Sequence, residues 1–202
     1  MEFLIVTGLS GAGKSRAMDA LEDIGFYCAD NIPPKLIATF YEFTRQAKGT
    51  LSRVAVVTDI RGGDMFPSLL ETLDQMKSEK KEYRILFLDA SDTVLVNRFQ
   101  ETRRKHPLAD NCLGSLEQAV RLERDVLRPV KERADYVIDT SFLSPAQLKE
   151  RISDLFLGDA SDALMIHCIS FGFKYGAPAE ADIVMDVRCL PNPYYVEELK
   201  NL

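Results

Sequence analysis

Eight residues near the amino terminus, Gly8-Leu9-Ser10-Gly11-Ala12-Gly13-Lys14-Ser15, carry the densest chemistry in the chain. They fit G-x-x-x-x-G-K-[ST], a spacing in which each residue type has a separate task. The glycines let the backbone curl until successive N–H groups point at phosphate oxygens, and the amino terminus of a following helix adds partial positive charge. Lys14 would reach the outer phosphates, and the Ser15 hydroxyl would ligate Mg²⁺. A glycine-rich turn with an exposed lysine could match this string, but it has no need of a strand before it and an amphipathic helix after it. Here the apolar run Phe3–Thr7 precedes the loop, and Ala17, Met18, Leu21 and Ile24 after it fall on one helical face. The segment is read as a nucleotide-phosphate site.

Such a site needs a carboxylate at the end of a hydrophobic strand to hold the metal, usually through water. Two aspartates qualify. Asp59 ends the run Val54-Ala55-Val56-Val57-Thr58 and leads into Ile60-Arg61-Gly62-Gly63; Asp89 ends Ile85-Leu86-Phe87-Leu88. Asp59 is preferred because adjacent glycines allow close ligand approach, while either residue could instead cap a strand or helix. The stretch Asn97–Pro107 holds four bases and one acid. Its arginines, Arg98 first and Arg103 next, are candidates to clamp transferring phosphates, against the alternative of a solvated helix end that complements the dipole. Residues Arg121–Arg133, with five bases and three acids, read as a salt-bridged surface helix. His106 and His167 have no spacing that makes a catalytic or metal-binding pair. Asp30 could serve as an acceptor-binding base if the chain were a kinase, or as a turn residue ahead of Pro33-Pro34.

The elements that would position these groups alternate between short apolar runs and helical periodicity, the pattern of an α/β parallel sheet. Strands are expected at Phe3–Thr7, Phe26–Ala29, Arg53–Thr58, Arg84–Asp89, Asp135–Asp139, Leu164–Ser170 and Asp182–Val187. Helical faces follow the first strand, the third (Phe66, Leu69, Leu70, Leu73, Met76) and the fifth (Leu148, Ile152, Leu155, Phe156), and two helices are expected between Asp89 and Asp135. The periodicity breaks at Gly158–Ala163. Residues 158–202 hold seven acids and three bases, against 24 acids and 22 bases before them. The expected organisation is a complete domain over residues 1–157 and the opening of a second over 158–202.

Composition narrows the partners. The 202 residues carry a net charge of -6, which disfavours a globally basic nucleic-acid binder. No apolar run approaches the ~20 residues of a membrane-spanning helix. Met1-Glu2-Phe3 lacks the basic start of a signal peptide. The four cysteines lie at least 21 residues apart, with no metal-binding spacing, and fit a reduced, cytoplasmic setting.

GLSGAGKS followed by GFYCADNIPP, TDIRGG, HPL and ADYVIDTS, and later by SFGFKYGAPAEADIVMDVRCLPNPYY, closely resembles the RapZ/YvcJ family of bacterial P-loop nucleotide-binding proteins. The resemblance spans essentially the whole chain. It implies a P-loop NTPase fold with a kinase-like parallel sheet flanked by helices, plus the start of a second α/β domain. It also implies binding of ATP and GTP with Mg²⁺ and slow hydrolysis of each. The ATP site would be Gly8–Ser15, and Asp59, Ile60, Arg61 and Gly62 would form a GTP-associated motif, which supports Asp59 over Asp89. Regulatory RNA or protein partners belong to longer family members and are not expected of this chain alone; an oligomer is allowed. Three functions follow: a regulatory protein with weak ATPase/GTPase activity, a small-molecule kinase, or a non-catalytic adapter controlled by nucleotide.

Overall fold

The apolar run from Phe3 to Val6 is buried on both sides, and this explains why it alternates so little: a strand with helices on each face has no solvent side. In the computed structural model, which describes residues 1–46, 51–59, 65–112, 114–157 and 183–186, this run lies in β1 (Glu2–Gly8). β2 (Tyr27–Ala29), β3 (Arg53–Val57), β4 (Arg84–Asp89) and β5 (Tyr136–Asp139) complete one sheet in the order β2-β3-β1-β4-β5. Every pairing is parallel, with Ile5 opposite Val56 on one side and Ile85 on the other.

The helices are α1 (Lys14–Asp23), α2 (Pro34–Gln46), α3 (Met65–Ser78), α4 (Asp92–Thr102), α5 (Leu116–Lys131) and α6 (Pro145–Leu157), with a 3-10 turn at Ala109–Cys112. The chain leaves β1 toward one edge and then steps back strand by strand toward the other. Right-handed crossovers therefore put α1 on one face and α2, α3 and α5 on the opposite one. The packing agrees: α1 meets α6, α2 meets α3, and α3 meets α5. Leu148, Ile152 and Phe156 of α6 are buried at helical spacing, each such side chain contributing about 1.5–3 kcal/mol. The fold is the α/β parallel sheet flanked by helices that the alternating pattern predicts.

Three expectations need correction. α2 has no counterpart among the expected helices, although Ile37 and Tyr41 bury one face and Pro34 occupies its first position. Residues 183–186, inside the expected strand Asp182–Val187, have no regular secondary structure. An apolar run becomes a strand only beside a ladder partner, and none is found among the described residues. α5 is not a wholly solvated helix, since Glu123 within it is fully buried. The expected strand Leu164–Ser170 and the break at 158–163 lie outside the described residues. The chain divides into two compact units, Met1–Asp162 and Ala163–Leu202.

Candidate nucleotide-binding site

The loop after β1 begins where a side chain cannot fit. Gly8 has φ 140°, and a Cβ there would lie 2.1 Å from the Leu88 carbonyl oxygen of β4. The Leu9 N–H donates to that same oxygen at 3.1 Å, so the loop leaves the sheet still tied to β4. At the far end Gly13, with φ 102°, occupies the N-cap of α1 and supplies no side-chain cap. The first turn of α1 therefore presents its free N–H groups to whatever lies in front of it. Residues 10–15 line a cleft of about 1190 Å³ at the carboxyl end of the sheet, where parallel α/β folds bind their ligands.

Lys14 is buried and folds back on the loop. Its Nζ donates to the Gly8 carbonyl at 2.7 Å and the Leu9 carbonyl at 3.0 Å, and pairs with Asp59 Oδ1 at 2.8 Å. The loop lysine and the carboxylate at the end of β3 thus meet across the cleft floor. Ser15 is exposed at the start of α1 and also lines the cleft with Asp59. A hydroxyl and a carboxylate are hard oxygen donors that suit Mg²⁺, which takes one or two protein ligands and retains water. Beside Asp59, the buried Thr58 Oγ1 has no hydrogen-bond partner among the described residues. The residues present fit a magnesium–nucleotide ligand. Among the described residues no three His, Cys, Asp or Glu side chains converge as they would in an all-protein metal cage. Ile60, Arg61 and Gly62 lie outside the described residues.

Asp89, the competing strand-end aspartate, is engaged elsewhere. Arg124 donates to its Oδ1 at 2.8 Å, Lys131 to its Oδ2 at 2.6 Å, and the Ala90 N–H to Oδ1 at 2.8 Å. Burial pushes the Asp89 carboxyl up, but the Lys131 and Arg124 hydrogen bonds and charges outweigh it and hold the group below the usual carboxylate range. Asp89 ties α5 to the sheet and does not line the cleft. Asp30 is exposed, accepts the Asn31 N–H at 2.7 Å, and is likewise absent from the cleft wall.

Arg98 reaches the loop but does not stand free over it. Its Nη1 donates to the Gly11 carbonyl at 3.0 Å and to Thr140 Oγ1 at 3.1 Å, and its Nη2 to the Thr140 carbonyl at 2.8 Å. Thr140 Oγ1 in turn donates to the Ala12 carbonyl at 2.9 Å. Arg98 therefore pins α4 and the end of β5 to the loop through carbonyl groups. Arg103 departs from expectation: it is the left-handed C-cap of α4 (φ 51°), and the reversal of the chain there brings Arg104 and Lys105 to the cleft in its place.

The sequence reading missed the group behind the loop. Glu123 of α5 is fully buried and accepts the Ser10 N–H at 3.1 and 3.0 Å through both carboxylate oxygens. Ser10 Oγ donates to Oε1 at 2.7 Å, and His106 Nε2 lies 3.0 Å from Oε2. The Leu108 N–H donates to His106 Nδ1 at 3.1 Å, which leaves the imidazole proton on Nε2, facing Glu123. A single apolar-face position on α5 occupied by glutamate, between Val120 and Leu127, was the available signal.

The RapZ-like N-terminal domain model matches residues 1–160, and the RapZ C-terminal domain model matches residues 164–202. A "Nucleotide-binding protein" of Alkaliphilus oremlandii is 50% identical over 203 residues, covering 100% of this chain and 69% of the relative. One of Clostridium botulinum, strain Loch Maree, is 51% identical over 202 residues, covering 99% and 68%. Among solved structures, the shikimate kinase of Acinetobacter baumannii in complex with shikimate aligns with TM-score 0.51 at 18% identity, covering 79% of this chain and 94% of that one. The tunicamycin resistance protein of Deinococcus radiodurans aligns with TM-score 0.53 at 17% identity, covering 78% and 95%. These two share the fold. With two family models that together match nearly the whole chain and relatives half identical along it, the chain belongs to the RapZ family of P-loop nucleotide-binding proteins.

Proposed function

We propose that this protein binds a magnesium–nucleoside triphosphate, ATP or GTP, in the cleft in front of Gly8–Ser15, and that its nucleotide state is the output. Hydrolysis is slow. The observation that carries this reading is the open amide edge at Gly13–Ser15 beside the Lys14–Asp59 pair. The N–H groups of the loop and the helix dipole would hold the phosphates. Lys14 would exchange a carbonyl contact for phosphate oxygen, and Ser15 and Asp59 would hold the metal, which supplies charge neutralisation when bound. Slow turnover fits the engagement of Arg98, the arginine nearest the loop, which is committed to the Gly11 and Thr140 carbonyls and the Thr140 hydroxyl. The contacts of such a loop would fall on the phosphates, which ATP and GTP share. This reading takes residues 1–157 as the nucleotide-binding domain and 158–202 as part of a second, in a cytoplasmic protein. Among the described residues no helix is long and apolar enough to cross a membrane.

Titration with labelled ATP and GTP in Mg²⁺, and γ-phosphate release, compared with Lys14→Ala, tests the assignment. We expect at least a tenfold loss in both measurements, about the effect of one charge-assisted phosphate contact. Equal behaviour of the two proteins removes it.

A second reading, transfer of the γ-phosphate to a small metabolite, is favoured by the size of the cleft. About 1190 Å³ exceeds the ~300–1,000 Å³ usual for one ligand. Phosphorylated product in place of inorganic phosphate, on incubation with a metabolite mixture, would establish it.

A further inference from the structure

We infer that Glu123 and His106 form a positioning pair that holds the basic segment Arg104–Lys105 at the mouth of the phosphate loop. The inference rests on the nucleotide reading and names the residues that regulate its charge environment.

Glu123 sits behind the loop, not in the cleft, and both its oxygens are directed at fixed donors. Its capture of the Ser10 N–H removes that amide from the ligand side and sets the direction of the loop from its third residue onward. The same carboxylate receives His106 Nε2–H. His106 is buried in a segment whose neighbours Lys105 and Pro107 are exposed, so it acts as a peg. Its ring packs on Phe99 of α4 at 4.9 Å between centroids, its Nδ1 accepts the Leu108 N–H, and its carbonyl accepts the Ala109 N–H at 3.0 Å. Arg104 and Lys105 immediately precede the peg and line the cleft, where triphosphate charge would accumulate. One buried carboxylate thereby fixes the loop that receives phosphate and the cations that face it. It does not line the cleft, so its effect on a bound phosphate would run through Ser10 and His106.

Two substitutions separate the two bonds of the imidazole. In His106→Gln the side-chain nitrogen can take the place of Nε2 and keep the donor to Glu123. In His106→Asn the side-chain oxygen can take the place of Nδ1 and keep the Leu108 bond, but nothing reaches Glu123. Trypsin digestion of the free protein gives the first readout, because Arg103-Arg104-Lys105 is a run of cleavage sites. The expected result is cleavage there about tenfold faster in His106→Asn than in wild type, with His106→Gln close to wild type. Equal rates in all three proteins overturn the peg whether or not nucleotide binds. Titration with fluorescent ATP and GTP in Mg²⁺ gives the second readout. His106→Asn should weaken affinity about tenfold in the wild-type background and hardly at all in Arg104→Ala/Lys105→Ala. The same loss in both backgrounds overturns action through the basic segment and leaves the nucleotide reading intact. Absence of binding by wild type overturns the nucleotide reading itself, even if the digestion result holds. Melting temperatures of all variants identify any that are unfolded; if His106→Asn is unfolded, His106→Leu replaces it, which keeps an apolar side chain against Phe99, loses the donor to Glu123 and should release the segment in the same way.

Discussion

Replacing Gly8 with alanine should damage the domain far more than the same change at Gly25, although both glycines have positive φ. At Gly25 (φ 88°) a Cβ meets nothing within 4 Å, so only backbone strain arises, about 1–2 kcal/mol. At Gly8 (φ 140°) the Cβ would stand 2.1 Å from the Leu88 oxygen, 2.6 Å from its nitrogen and 2.8 Å from its carbonyl carbon. All three atoms are backbone of a central strand, so no rotamer change relieves the clash. Gly8 is also the last residue of β1 in register with β4, paired with Leu88. Relief must open the end of that ladder, which adds overpacking of ~1–3 kcal/mol. The total for Gly8→Ala is about 2–5 kcal/mol, a large fraction of an ordinary domain's ~5–15 kcal/mol. Urea denaturation followed by circular dichroism would measure it, with a melting-temperature drop on the order of 10 °C as a second readout. A Gly8→Ala protein within about 1 kcal/mol of Gly25→Ala would refute the claim that the loop leaves the sheet through a backbone-to-backbone contact.

Asp89→Asn should destabilise the domain by about 1–3 kcal/mol at pH 7, because Arg124 and Lys131 lose their carboxylate. The folded Asp89 carboxyl titrates below its ordinary value, so its contribution is complete above the unfolded value of ~3.9 and is lost as pH falls through the folded one. Denaturation at pH 7 and near pH 3 should show the gap between wild type and variant closing with acid; a constant gap would contradict the ion pairs. Burial first, and the Glu22 charge second, push the Cys28 thiol up to about 12. Alkylation at pH 8, followed by peptide mapping, should find Cys28 about a thousandfold slower than a free thiol; labelling at the free rate would mean the site opens readily.

The parts that were readable in the sequence are those governed by local rules. β4 was read with its observed limits because Arg84 and Asp89 bound a run of four apolar residues. The strand–loop–helix turn at Gly8–Ser15 is legible because its glycines answer to local backbone geometry. Asp59 and Asp89 looked alike because what separates them is long-range: Asp89 meets Arg124 and Lys131, more than 30 residues away along the chain. Glu123 was read as one more charge on a salt-bridged surface, and only the tertiary fold sets it against Ser10, 113 residues earlier. Arg98 points toward the loop as its place on α4 suggests, yet its partners, the Gly11 and Thr140 carbonyls and the Thr140 hydroxyl, lie far along the chain. α2 is hidden because Asp30 and Pro33-Pro34 carry a turn signal, although Pro34, Ile37 and Tyr41 give a helix start and a buried stripe.

Arg53 sits at the pole opposite the cleft. It pairs with Glu2, donates to the Ile24 and Phe156 carbonyls at 2.8 and 2.6 Å, and stacks 4.1 Å over the Phe26 ring. Phe156 is further gripped edge-on by Phe26 and Tyr136. The carboxyl end of α6 is therefore a fulcrum, while its amino end supplies Pro145 and Leu148 to the cleft wall. Thirteen residues make a rod about 20 Å long. A ligand that displaced Leu148 would have either to bend this rod or to swing it about Phe156, so the grip on Phe156 opposes widening of the cleft at its Leu148 side.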